Sequence, residues 1–129
     1  MELRSIHMLF ILVGTIAFIF SLIVVLTRKG KFLYKHKILS TIALILINLS
    51  ILNIYLSNRN VNLSFSHGIL GFLFFIVSII NLIIGVIYTG KIDANLKKRI
   101  RLIHIWIGRV LFIILILNII FGIIIFKPF

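Results

Sequence analysis

The sequence predicts an all-α membrane protein, a four-transmembrane-helix up-down antiparallel bundle, and three observations carry that expectation. Of 129 residues, 62% are hydrophobic and only 12% charged, with a mean hydropathy of +1.29; a soluble domain is about half apolar and a quarter charged. The apolar residues gather in four runs, each long enough for the roughly 20 helical residues that cross a hydrocarbon core. Short polar links join the runs, so successive helices must pack antiparallel. Such a composition excludes a soluble enzyme, a disordered tail and a nucleic-acid reader. There is no cysteine, which excludes disulfides, thiolate metal sites and iron–sulfur clusters.

The first helix is expected at residues 6–27. Its apolar run is too long for the h-region of a signal peptide and no A-x-A cleavage site follows, so it reads as a true span. The second is expected at residues 33–56, after the basic link TRKGKFLYKHK, and the third at 65–89, after SNRNVNLSFS. The fourth follows GKIDANLKKRIR and is expected at 100–126. The one proline, Pro128, lies beyond it, so no span is interrupted. Residues 1–129 are read as a single transmembrane domain.

Charge orients the chain. There are 14 Lys and Arg against 2 Asp and Glu, a formal net charge of +12. One side of the expected bundle carries Arg28, Lys29, Lys31, Lys35, Lys37, Lys91, Lys97, Lys98, Arg99 and Arg101; the other carries Arg4, Arg59 and Lys127. The excess of positive charge on cytoplasmic loops then places the first and third links in the cytoplasm and both termini outside. The basic links have neither the aromatic interleaving nor the folded module of a nucleic-acid binder.

The four histidines, His7, His36, His67 and His104, fall one per helix, each within its first few residues. A lone histidine at a membrane helix end is ordinarily interfacial. Four placed this regularly are expected to form a ligand set, because ionisable groups in a span are functional by default. Antiparallel packing puts His7 and His67 at the outer level and His36 and His104 at the cytoplasmic level. In a square bundle, each pair faces itself across a diagonal. The levels lie roughly 20–25 Å apart, a ~30 Å span less the inset of each histidine.

Helical phase adds a second pattern. At about 100° per residue, offsets of +4, +14 and +18 return to the starting face. From His67 they give Gly71, Asn81 and Gly85; from His104 they give Gly108, Asn118 and Gly122. Ser21 and Ser50 stand at +14 from His7 and His36. The glycines are expected to clear room for a flat macrocycle, with helix packing as the alternative. An offset of +14 spans roughly 21 Å, so each Ser or Asn should reach the level of the opposite histidines and hydrogen-bond a ring nitrogen or a propionate.

Two axial histidine pairs at separate depths do not suit zinc, whose four ligands converge on one point. They suit two six-coordinate haem irons, which have no open position and favour electron transfer. Arg109 lies well inside the fourth span, where an unpaired guanidinium is costly. A haem propionate is the expected partner, with snorkelling to the cytoplasmic face as the alternative. Trp106, Tyr34, Tyr55 and Tyr88 read as interface-belt aromatics.

These residues resemble a known family. The segment His67-Gly68-Ile69-Leu70-Gly71, with Gly85, resembles one helix of the cytochrome b-561 family. The stretch RLIHIWIGR at 101–109, continuing through Asn118 and Gly122, resembles its last core helix. His7, Arg28 and His36 match the spacing of the first two core helices. The resemblance covers almost the whole chain. It implies a four-helix core holding two b-type haems, each between histidines of alternate helices, His7 with His67 and His36 with His104. It also implies that basic residues preceding the cytoplasmic histidines, here Lys29, Lys35 and Lys97, can hold a donor such as ascorbate. A glutamine common in the family's third core helix is Asn81 here.

The expected function is transmembrane electron transfer, from a cytoplasmic ascorbate- or quinol-like donor to an outer acceptor, by a transmembrane oxidoreductase or carrier. The alternative is a haem-bearing membrane anchor of a larger redox complex. A proton-coupled exporter would need an intramembrane acid, and the two acids, Glu2 and Asp93, lie outside the spans. So small a bundle leaves lipid-facing surface on which a homodimer could form.

Overall fold

The computed structural model describes residues 3–27, 33–58 and 66–125. They form four helices: α1 (Leu3–Thr27), α2 (Leu33–Asn58), α3 (Ser66–Thr89) and α4 (Ala94–Ile125). Each is long and apolar enough to cross a membrane, and no strand occurs among the described residues. The protein is therefore all-α with four spans. Large side chains such as Leu26, Tyr34, Leu56 and Ile123 are exposed, which would be an aggregation hazard in water but is the normal face toward lipid.

The chain divides into two compact units, Met1–Val61 and Asn62–Phe129. In the first, α1 packs against α2 with contacts running in opposite directions along the two helices. His7 meets Ser50, Gly14 meets Ala43 and Ile47, and Ser21 meets His36. His7, Gly14 and Ser21 stand seven residues apart, as do His36, Ala43 and Ser50. A seven-residue step keeps successive side chains on one seam between helices. The middle of the seam carries Gly14 and Ala43, so the helices approach closely there, and Phe18, Leu44 and Ile47 are buried beside it.

In the second unit α3 and α4 pair by the same rule. His67 meets Asn118 and His104 meets Asn81. Here Phe74 and Leu111 occupy the midpoint of the seven-residue series, and both are fully buried.

The fourth helix begins at Ala94, six residues before the expected position. Asp93 is its cap: Oδ2 accepts from the backbone N–H of Asn95 at 2.9 Å and of Leu96 at 3.2 Å, satisfying donors that the first turn leaves open. Hydropathy marks where the chain enters lipid, whereas the cap marks where the helix starts. Lys97, Lys98 and Arg99 consequently ride on α4 instead of lying in a loop. Lys97 Nζ sits 5.5 Å from the Tyr88 ring centroid, linking the end of α3 to the start of α4 by a cation–π contact.

Close approach at Gly14 makes that position intolerant. A Cβ there would stand 2.7 Å from Ile47 Cγ1 and 3.2 Å from the Ala43 carbonyl oxygen. Gly14→Val is expected to destabilise the α1–α2 pair by about 1–3 kcal/mol, the usual cost of overpacking, read as a lower unfolding midpoint in detergent.

Candidate functional site

His7, His36 and His67 sit in the first turns of their helices, whereas the early start of α4 at Ala94 puts His104 about three turns in, a departure from its expected place. Each reaches the partner helix of its own unit in that helix's later half. His67 Nδ1 lies 2.9 Å from the Asn118 carbonyl oxygen, and His104 Nδ1 lies 3.3 Å from the Asn81 carbonyl oxygen. In the first unit the partner is a serine. Ser50 Oγ lies 2.7 Å from His7 Nδ1 and its carbonyl oxygen 3.3 Å from the same nitrogen. Ser21 presents Oγ at 2.7 Å and its carbonyl oxygen at 3.2 Å to His36 Nδ1. The offset of +14 thus brings every Ser or Asn to the histidine of the antiparallel neighbour.

These contacts favour one form of the rings. A carbonyl oxygen can only accept, so the bonds of His67 and His104 call for the proton on Nδ1. At His7 and His36 the nearer contact is a hydroxyl, which can accept or donate, and the serine carbonyl oxygen beside it favours the same tautomer. In a neutral imidazole the lone pair then resides on Nε2, the tautomer suited to ligate a metal. The rings are also held in place by their neighbours. A Cβ on Gly122 would lie 3.0 Å from His67 Cε1, and one on Gly85 would lie 3.1 Å from His104 Cε1. These two glycines leave notches that the imidazoles of the partner helix occupy. Gly71 and Gly108 differ. A Cβ there would meet the Nδ2 atoms of Asn118 and Asn81 at 3.5 and 3.8 Å, ordinary contact, so their bare backbone is roomier.

The donor set fits haem iron: imidazoles anchored at Nδ1, and two helix faces free of Cβ atoms at Gly71 and Gly108. The amide oxygens of Asn81 and Asn118, on residues 7% and 6% exposed, are buried without a hydrogen-bond partner. That marks a polar place beside those faces that this chain's described residues do not fill. Ser78, on the same face of α3, instead donates to the Phe75 carbonyl oxygen of its own helix.

Arg109 is exposed and lies over the Trp106 ring, 4.9 Å from its centroid. Five residues turn it roughly 140° around α4 from His104. The indole was read from sequence only as an interface aromatic; its spacing of three from Arg109, which stacks the two on one helix surface, was the available signal. Among the expected donor-binding lysines, Lys35 is exposed and Lys97 half-buried, while Lys29 lies outside the described residues.

The notch at Gly122 yields a direct test. In Gly122→Ala the added methyl should push the His67 ring off the Asn118 carbonyl, moving its low-field Nδ1 proton upfield in the NMR spectrum of ¹⁵N-histidine-labelled protein. An unmoved proton would show that the ring is held elsewhere.

The chain matches the family model described as eukaryotic cytochrome b561 over residues 3–127. Searches among curated proteins and among solved structures give no match. With four apolar spans and a family match over nearly its whole length, the chain belongs to the cytochrome b561 family, integral membrane proteins that transfer electrons across the bilayer through haem b.

Proposed function

We propose that this chain is a two-haem wire, with His36 and His104 holding one haem on the cytoplasmic side and His7 and His67 holding the other on the outer side. The observation that carries this reading is the common anchoring of all four Nδ1 atoms on the neighbouring helix. Four equivalent anchors favour four equivalent ligands. The pairing is proposed from chain order: in an up-down bundle, helices entering from the same side would present their histidines at similar depths. Haem b, when bound, supplies a one-electron iron couple at each level.

The protein's own task is to hold the ligands and exclude water. Each imidazole is fixed in one tautomer and orientation before the cofactor arrives, which lowers the reorganisation that accompanies a change of charge. Gly71 and Gly108 keep helix backbone bare beside the buried Asn amides, room for a flat ring. Lys35 and Lys97, with Lys29, form the proposed landing site for an anionic or quinol-like donor on the cytoplasmic side. An outer acceptor completes the path. The whole chain acts as one transmembrane domain.

Haem stoichiometry tests the pairing. The purified protein is expected to carry about two low-spin b haems per chain. His36→Ala and His104→Ala should each remove the same one, and the double variant should lose no more. His7→Ala and His67→Ala should remove the other. One haem in the unaltered protein would reduce the wire to a half-wire, and a stoichiometric co-purifying redox protein would make it an anchor subunit.

The orientation has its own test, helped by the absence of cysteine. Lys91→Cys, at an exposed position in the link between α3 and α4, should resist an impermeant maleimide in intact cells and react in inverted vesicles. The reverse pattern would place the basic links outside.

A further inference from the structure

The serine hydroxyls are placed to do more than fill space between α1 and α2. Ser21 and Ser50 are 1% and 0% exposed, and the hydroxyl of each makes two contacts with a single histidine. Ser50 Oγ donates to the His7 carbonyl oxygen at 2.9 Å while standing 2.7 Å from His7 Nδ1. Ser21 Oγ donates to the His36 carbonyl oxygen at 3.4 Å while standing 2.7 Å from His36 Nδ1. The hydroxyl proton is directed to the carbonyl, so the oxygen presents a lone pair to Nδ1–H. A hydroxyl that is donating is a better acceptor, because chained hydrogen bonds polarise one another.

We propose that Ser21 and Ser50 are positioning residues that set the reduction potentials of the haems held by His36 and His7. The inference rests on those histidines being haem ligands. A strong acceptor at Nδ1–H raises the basicity of the ligating nitrogen, which favours the ferric over the ferrous ion and lowers the potential. The serine carbonyl oxygens, 3.2–3.3 Å from the same Nδ1 atoms, divide the labour. They hold the tautomer, and hence haem binding, when the hydroxyl is removed. The hydroxyl adds the shorter contact and fixes the rotation of the ring.

The test is a redox titration of the purified full-length protein, followed by haem absorbance, together with low-temperature EPR of the oxidised form. Ser21→Ala and Ser50→Ala are each expected to keep full haem content and to raise the midpoint of one haem. At a fixed ambient potential the reduced-to-oxidised ratio of that haem should increase about three- to tenfold, the range set by one hydrogen bond; this is about 30–60 mV at 59 mV per tenfold for a one-electron couple. The low-spin EPR signal of that haem should shift as its imidazole plane is released. Full haem content with unmoved midpoints and unchanged EPR signals would overturn the proposal.

Ser→Thr at either position keeps the hydroxyl and is expected to retain the original midpoint. A Thr midpoint displaced as far as the Ala one would assign the effect to volume and overturn the role of the hydroxyl. Where an Ala variant loses its haem, Ser→Cys, with its weaker acceptor, is expected to bind haem at a raised midpoint, and an unmoved midpoint again counts against the proposal. Failure of the underlying reading is separate, because His36→Ala and His7→Ala would then retain both haems.

Discussion

The hydrogen bond from each histidine Nδ1 to a residue in the later half of the neighbouring helix is the constraint on which the rest of the structure depends. A membrane interior offers no water to satisfy an imidazole N–H, so the ring must find an acceptor within the protein or bear the cost of burial without one. Helix backbone carbonyls are normally consumed by the helix itself. They become reachable only where a neighbour packs closely and a small residue leaves a path. Ser21, Ser50, Asn81 and Asn118 provide that acceptor, and Gly85 and Gly122 provide the path. The bond favours the tautomer protonated at Nδ1, and that tautomer leaves the lone pair on Nε2, the atom the proposed haem ligation uses.

One scheme appears twice with different fillings. In the first unit small residues, Gly14 and Ala43, occupy the middle of the seam, and serine hydroxyls reach the imidazoles. In the second, Phe74 and Leu111 take the middle, asparagine carbonyls take the imidazoles, and glycines receive the rings. Membrane helices associate without a hydrophobic driving force between them, so close backbone approach and buried polar contacts have to hold each pair together. The same small and polar residues therefore pack the helices and orient the histidines. A substitution in the seam accordingly disturbs both at once.

Electron transfer asks little of a protein in the way of bond-making. It asks for ligands that stay in place when the charge on the metal changes and for an environment that sets its potential. A ring held at Nδ1 and wedged against a bare helix backbone meets the first demand. The hydroxyl contacts between α1 and α2 are the feature proposed to serve the second. The basic residues at the start of α4 owe their presentation to the Asp93 cap, which draws Lys97, Lys98 and Arg99 onto the helix.

The four spans, their order and their approximate ends were legible in the sequence because apolar runs of that length have no other stable home, and because the polar links are too short for any but antiparallel neighbours. The histidines and their +14 companions were legible too, since helical phase and rise are fixed by backbone geometry. The start of α4 was missed because hydropathy does not register a capping carboxylate. The glycines were read as one class, yet the structure divides them: Gly85 and Gly122 face imidazoles closely, whereas Gly71 and Gly108 face amides at ordinary contact distance. The depth of Arg109 suggested an anionic partner, and the structure adds a contact that depth could not show, the guanidinium over the Trp106 ring. Periodicity along one helix says which side chains share a face. Which side chain of the neighbour meets that face, and at which atom, is decided by the register and closeness of two packed helices, and these exist only in the tertiary structure.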